Sequence, residues 1–150
     1  MVPVTVAREV AGQSGSLQYV PPRLITETQR SAERLGASAW CPLGDQFQAM
    51  YIFDSLIFNQ GRSLDRIQYS TDNFQLILVG HDQSFAANRG RPPHLAEVPL
   101  QITPAWASAL AAFDEDSLTT ALGDVLDRRR IRALLQRRDQ LLESLAEAQP

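Results

Sequence analysis

The chain has 150 residues and a formal net charge of -3, which predicts one globular domain or part of one. The acidic balance argues against nucleic acid as a partner. All 14 basic residues are arginine, so a lysine Schiff base, a P-loop lysine and a lysine phosphate anchor are excluded within this chain.

The N-terminal segment is predicted to form a β-hairpin. Residues 2–10 alternate in the manner of a strand, and residues 16–20 give a second short strand. The glycine-rich segment 12–15 is the predicted turn between them. Pro21 and Pro22 end the second strand.

A short helix is predicted over residues 26–35, with Thr26 as its N-cap and Gly36 as its stop. A loop at residues 37–43 follows, and it contains Cys41, the only cysteine. A single cysteine excludes an intrachain disulfide and fits a reduced, cytoplasmic setting.

The middle of the chain predicts a buried helix and then a small hairpin. Asp45 is the predicted N-cap of a helix over residues 46–58. This helix is apolar on almost every side except at Asp54, which is typical of a central, buried helix. Residues 66–70 and 74–80 are strand-like and are joined by a polar turn.

The C-terminal half predicts an irregular loop at residues 85–100 and three helices, at 104–113, at 117–126 and from the Asp127 N-cap to about residue 148. The apolar stripe of the last helix comprises Ile131, Leu134, Leu135, Leu141, Leu142 and Leu145. The order of elements predicts an α+β fold that is mostly helical. No segment approaches the roughly 20 apolar residues that a membrane helix needs.

Residues 50–85 carry the most informative motif. The run FDSLIFNQGRSLDR is followed, after a strand, by LILVGHDQSF. These runs resemble the C-terminal lobe of the phosphatidylinositol 3-/4-kinase-like and persistence-toxin-like bacterial kinases, whose patterns are FDxLIxNxDRxxxN and I-D-H-x-x-x-F. The resemblance implies one protein-kinase-like C-lobe. It comprises a hinge-like hairpin at 1–22, the central helix, small hairpin and catalytic and metal loops at 23–100, and closing helices at 101–150.

Matched position by position, the chain departs from the family pattern at the residues that carry the chemistry. The catalytic aspartate implied by the resemblance falls at Gly61, the metal-ligating asparagine at Arg66, and the metal-ligating aspartate at Gly80. The part of the family fold with the phosphate-covering turn and the anchoring lysine has no counterpart in the sequence. The retained motif residues are Asn59, Arg62, His81 and Phe85.

These departures predict the loss of catalysis. Phosphoryl transfer needs magnesium held by oxygen ligands, an aspartate that orients the attacking hydroxyl and a cation on the nucleotide. Glycine offers no side-chain oxygen, and Arg66 puts a positive charge where the metal ion would lie. We therefore expect a degenerate, pseudokinase-like domain without a cofactor, acting as a binding or regulatory module.

An active phosphotransferase with a rearranged site is the alternative, with Mg-ATP as its cofactor. Asp65 and Asp82 lie one and two residues from two of the degenerate positions, so a register shift would bring both carboxylates toward a shared cation. Arg62 would contact phosphate, and His81 would complete the site. In the competing interpretation Asp65 is a turn residue and Asp82 is a solvated loop acid.

The retained motif residues also have structural interpretations. Arg62 is expected to pair with a buried acid such as Asp54 or with loop carbonyls. His81 is expected to hold the turn through a loop carbonyl, and Asn59 to brace the loop backbone.

The last helix carries a cluster of arginines. Pairs with Asp127, Asp139 and Glu143 would make this cluster a solvated helix flank, whereas an anion-binding module is the alternative. The cluster comprises Arg128, Arg129, Arg130, Arg132, Arg137 and Arg138.

The N-terminal hairpin is the expected interaction surface. A C-lobe without its N-lobe would leave the apolar side chains of residues 2–20 uncovered. Exposed apolar patches mark sites of protein association, so we expect a protein partner or self-association over this face.

Overall fold

The computed structural model describes residues 2–36, 42–101 and 103–147, with side chains described as far as residue 144. Trp40 and Cys41, in the predicted loop, lie outside the described residues. The fold is α+β, as predicted, with two small antiparallel sheets. The chain divides into two compact units, a first unit of Met1–Gln46 and Arg62–Gly80, and a second unit of Phe47–Gly61 and His81–Pro150.

The predicted N-terminal hairpin is confirmed. It consists of β1 (Thr5–Val10) and β2 (Gln13–Gln18). The register leaves a turn of only two residues, Ala11 and Gly12, whose φ angles are 52° and 78°. Two-residue turns use positive φ angles because these match the twist of the flanking strands. The predicted turn at 12–15 is therefore wrong, since its last three residues belong to β2.

The second sheet lies in the first unit. Its strands are β3 (Leu24–Thr26), β4 (Ile67–Ser70) and β5 (Leu76–Leu78), with β4 in the middle. The pair β4–β5 is the predicted small hairpin, whereas the sequence does not predict β3. Tyr69 and Leu76 are cross-strand partners, and both are fully buried in this sheet.

The first helix, α1 (Glu27–Ala32), follows β3 directly and is shorter than predicted. Thr26 is its N-cap, as predicted: Gln29 N donates to Thr26 Oγ1 at 3.1 Å, and Thr26 N donates to Gln29 Oε1 at 2.9 Å. This reciprocal capping box fixes the start of the helix. The helix ends at Ala32, before the predicted stop at Gly36.

One side-chain cluster links α1 to the three-stranded sheet. Arg30 donates to both carboxylate oxygens of Glu27 at 2.7 Å, and Tyr69 Oη donates to Glu27 Oε2 at 2.7 Å. The Arg30 hydrogen bonds, and then the Tyr69 bond, hold the pKa of Glu27 below its usual range, while burial opposes this shift. Burial, and then the bond to Glu27, raise the pKa of Tyr69.

The central helix, α2 (Leu43–Ile57), is buried mainly in its second half, as predicted for a central helix, whereas Gly44 and Asp45 at its start are exposed. Ile52 and Asp54 are both fully buried. Asp45 lies in the first helical turn, so its prediction as the N-cap is wrong. Phe58 has a φ of 52°, and this left-handed residue ends the helix.

Three helices complete the second unit, α3 (Pro104–Ala111), α4 (Glu115–Leu122) and α5 (Arg128–Glu147). Thr103 caps α3 and Asp127 caps α5, as predicted. The second of these helices begins two residues earlier than predicted, because Asp114 forms a capping box there. The loop before α3 is irregular, as predicted, apart from a 3-10 turn at Pro93–Leu95.

The core of the second unit is formed where α2, α3, α4 and α5 pack together. The predicted stripe on α5 contributes to it, with Leu135 and Leu142 partly buried at its edge. The side chain of Leu145 lies outside the described residues. The buried core residues are Ile52, Leu56, Leu110, Leu118, Ile131, Leu134 and Leu141.

Candidate functional site

The residues implied by the kinase-like motif divide between the two units. The second unit contains Asn59, Gly61, His81 and Asp82. The first unit contains Arg62, Asp65, Arg66 and Gly80.

In the second unit, Asn59 braces the loop that follows α2, as the sequence predicts. Its side chain is fully buried. Asn59 Nδ2 donates to Asp54 Oδ1 at 3.0 Å, and Asn59 Oδ1 accepts from Gly61 N at 3.0 Å. A buried amide with both ends bonded holds a loop in one conformation.

The segment that begins with His81 runs beside this loop within the second unit. Gln60 N donates to Gln83 O at 3.2 Å, and Phe85 N donates to Ile57 O at 2.6 Å. The His81 ring packs edge-on against Phe53, with the ring centroids 5.5 Å apart and an angle of 85° between the planes. This contact is of the kind that aromatic pairs favour, and it fixes the ring in place.

Asp82 and Asp65, the two carboxylates of the rearranged-site hypothesis, are both solvent-exposed. Asp65 lies on a 3-10 turn at Leu64–Arg66. Within the described parts of the chain, no three His, Cys, Asp or Glu side chains are grouped closely enough to hold a metal ion.

In the first unit, Arg62 clamps two backbone segments together. Its Nη1 donates to Arg66 O at 2.9 Å and to Val79 O at 2.7 Å. The interpretation of Arg62 as a residue bonded to loop carbonyls is confirmed. This clamp joins the 3-10 turn to the end of β5.

Beside this clamp, Arg66 packs against Gly80. Gly80 has a φ of 76°, a conformation that favours glycine. A β-carbon at residue 80 would lie 2.7 Å from Cδ and 3.2 Å from Nη1 of Arg66. An aspartate therefore does not fit at residue 80 while Arg66 keeps this position.

These residues of the first unit do not fit a magnesium–nucleotide complex. Magnesium prefers carboxylate and water oxygens in near-octahedral geometry. At the two metal-ligand positions implied by the resemblance, the chain has a guanidinium group and a glycine that the guanidinium side chain covers. A positive charge this close repels a divalent cation.

The arginines of the cluster on α5 lie in different surroundings. Arg137 is only 2% exposed. Arg138 bonds to Asp139 and to Phe113 O, and Arg130 bonds to Asp127. The predicted pairs with Asp127 and Asp139 are confirmed, and α4 supplies a further acid, because Glu115 lies within 3.8 Å of both Arg128 and Arg132.

The burial of Arg137, which the arginine cluster does not predict, has a signal of its own in the sequence. Arg137 lies three residues after Leu134 and four residues before Leu141, which is the spacing of one helix face. Both leucines are buried. The charge of Arg137 favours an exposed position, whereas its place in the stripe predicts burial.

The N-terminal hairpin exposes an apolar face, as expected. Cross-strand partners point to the same side of a sheet, and Val6 pairs with Leu17. Tyr19 N donates to Val4 O at 2.9 Å, which extends the pairing beyond β1. The large exposed apolar residues of this segment are Val2, Val4, Val6, Val10, Leu17, Tyr19 and Val20.

A comparison with protein-family models finds no match for the chain, and a comparison with curated proteins finds none either. Within the described residues, no helix has both the length and the apolar character needed to cross a membrane.

Proposed function

We propose that this chain is a kinase-like C-lobe that has lost phosphoryl transfer and works as a protein-binding module through its N-terminal hairpin. The observation that carries the proposal is the exposed apolar face formed by β1 and β2. The packing of Arg66 against Gly80 supports the loss of catalysis, because it removes the space for a metal-binding carboxylate.

The hairpin has two unlike faces. One face carries valines at positions 4, 6 and 10 together with Leu17 and Tyr19. Val4 is 72% exposed and Val10 is 71% exposed. A two-stranded hairpin is marginally stable by itself, and an exposed apolar face of this kind marks a site of protein association.

The charge on this face supports a partner that carries a carboxylate. Arg8 pairs with Gly15 across the hairpin, so its side chain points to the same side as Val6 and Leu17. Glu9 points to the opposite side. Within the described hairpin, the apolar face therefore has one cation and no carboxylate.

A second copy of the chain fits this face poorly. Packing two such faces together would cover two Arg8 guanidinium groups with no carboxylate to pair with them, and an unpaired buried charge is costly. A different protein, with an apolar surface that includes one aspartate or glutamate, provides both contacts. We assign the face to a partner of that kind.

Site-specific photo-crosslinking in cells that express the chain tests this proposal. A photoreactive phenylalanine analogue replaces Leu17 on the apolar face, and in a matched control it replaces Ser16 on the opposite face. We expect one defined crosslinked partner from position 17 and none from position 16. The Arg8→Glu variant should lose the adduct, whereas Arg8→Lys, which keeps the charge, should retain it.

Three results would contradict the proposal. The first is equal crosslinking from both positions. The second is an adduct that survives Arg8→Glu, since the carboxylate partner would then have no role. The third is an adduct made only of two copies of this chain, which would replace the proposed partner by self-association.

A further inference from the structure

The second unit contains a cavity of about 270 Å³ whose wall includes Ser55 of the motif run but none of the residues at the implied catalytic and metal positions. Its walls come from α2, from the loop before α3 and from α5. Apolar side chains, among them Val98, Leu100 and Leu141, form part of the wall. The polar groups of the wall include Ser55, Arg91 and Arg137.

Arg137 is the most deeply buried cation at this cavity. Its Nε donates to Leu56 O at 2.7 Å, and its Nη1 donates to Ala86 O at 3.2 Å and to Asn88 O. The guanidinium group also lies 5.7 Å from the centroid of the Phe58 ring, within the range of a cation–π contact. These contacts hold the side chain in place and use the donors of two of its three nitrogens.

The third nitrogen, Arg137 Nη2, is buried and has no hydrogen-bond partner among the described residues. Arg91 is similar: its Nη1 and Nη2 donate to Ala96 O and Val98 O, and its buried Nε has no partner in the same part of the chain. Ser55 Oγ is a third such atom. Buried polar atoms are almost always bonded, so three unbonded atoms on residues that line one cavity favour a ligand there.

The charges around the cavity indicate the sign of that ligand. Burial lowers the pKa of Arg91, and the nearby Glu97 carboxylate opposes this shift. Burial lowers the pKa of Arg137 to about 10, so its guanidinium group stays charged at neutral pH. Of the described residues that line the cavity, two carry a positive charge and one, Glu97, carries a negative charge. The lining residues therefore have a net charge of +1.

We propose that this cavity binds a small monoanionic carboxylate with an apolar body. A small rotation of the Arg137, Arg91 and Ser55 side chains toward the cavity would let the carboxylate accept from Nη2, Nε and Oγ, and the body would lie against Val98 and Leu141. Guanidinium donors suit the planar carboxylate group. Bound water would satisfy the donors but would leave the charge uncompensated.

Hexanoate is a suitable probe, with 1-hexanol as an uncharged control of similar size and inorganic phosphate as a second anion. The measurements are thermal unfolding and calorimetric titration at constant ionic strength, on the full chain. Ser55→Ala should not lower the unliganded stability, because its buried hydroxyl has no partner to lose, and should weaken hexanoate binding about tenfold. Arg91→Gln should weaken binding at least as much.

Arg89→Gln is the matched control, because Arg89 is an exposed arginine in the same loop that does not line this cavity. It should bind hexanoate as the parent chain does. No saturable response to hexanoate, an equal response to 1-hexanol, or undiminished binding by Ser55→Ala and Arg91→Gln would overturn the proposal. Tighter binding of phosphate than of hexanoate would overturn the carboxylate assignment. Because these residues lie outside the hairpin, this proposal can fail while the proposed function holds.

Discussion

The side chain of Arg66 occupies the space beside Gly80 that any side chain at residue 80 would need. Arg62 holds the backbone on both sides of this contact, because it bonds to the carbonyl oxygens of Arg66 and of Val79, the residue before Gly80. The two positions at which the kinase-like motif would supply metal ligands are thus packed against each other. A substitution at residue 66 should therefore change the effect on stability of a substitution at residue 80.

Gly80→Asp should lower the free energy of unfolding by about 2 kcal/mol, because residue 80 has positive φ and its β-carbon would press on Arg66. In the Arg66→Ala background the loss should shrink by at least about 0.5 kcal/mol, since the contact is gone and only the backbone strain remains. Urea denaturation measures both values. Gly90→Asp is the control, because nothing lies within 4 Å of a β-carbon there. Equal losses at residues 80 and 90 would contradict the packing argument.

Tyr69→Phe should destabilise the chain by about 1–3 kcal/mol, because the fully buried hydroxyl donates to the Glu27 carboxylate. The ring and its packing stay, so the loss measures the hydrogen bond. Tyr19→Phe is the control: Tyr19 is 61% exposed, and its loss should be within about 0.5 kcal/mol. Chemical denaturation with fluorescence detection measures the free energy of unfolding of both variants. A Tyr69→Phe variant as stable as the parent chain would show that the hydrogen bond to Glu27 does not stabilise the fold.

The free energy of unfolding should fall at acid pH, because the Glu27 carboxylate becomes protonated. Its hydrogen bonds with Arg30, and then with Tyr69, lower its pKa in the folded state. The stabilisation is therefore fully present above the ordinary glutamate pKa of about 4.3, and it is lost as the pH falls through the lower, folded-state value. Glu27→Gln should be less stable at pH 7 and should show a flatter decline below pH 5. Parallel pH profiles for the two chains would refute this assignment.

Arg137→Met should cost about 3 kcal/mol, because methionine keeps the alkyl stem but leaves buried carbonyl oxygens such as Leu56 O without their donor. Arg129→Met, at an exposed position on the same helix, should cost less than about 0.5 kcal/mol. Thermal unfolding of the two variants, with circular dichroism to verify the fold, makes the comparison. Similar losses of stability at both positions would show that the hydrogen bonds of Arg137 to the backbone carbonyls do not stabilise the fold.

The sequence predicts the elements whose signals are local. Both hairpins, the buried α2 and the caps of α1, α3 and α5 follow from alternation, from apolar periodicity and from capping residues. The three residues of β3 are too few to show alternation, so only pairing with β4 reveals them. The turn at Ala11 and Gly12 is set by strand register, which a glycine-rich stretch does not determine.

The site is predicted less well than the fold. The positions of Asn59 and Arg62 as braces of the loop backbone follow from the motif. The contact of Arg66 with Gly80 is a matter of packing between residues 14 positions apart, and no local pattern encodes it. The burial of Arg137 was missed because arginine is usually exposed, and only its place between Leu134 and Leu141 indicates otherwise.

The proposed function rests on the claim that the loops containing Gly61 and Gly80 do not hold a magnesium–nucleotide complex. Thermal unfolding of the full chain with ATP, with and without Mg²⁺, tests this claim most directly, because a ligand that binds only the native state must raise the midpoint. We predict no magnesium-dependent rise at millimolar ATP. A saturable rise that needs Mg²⁺, and that is lost in an Asp65→Asn, Asp82→Asn double variant, would contradict the claim and establish the rearranged phosphotransferase in its place.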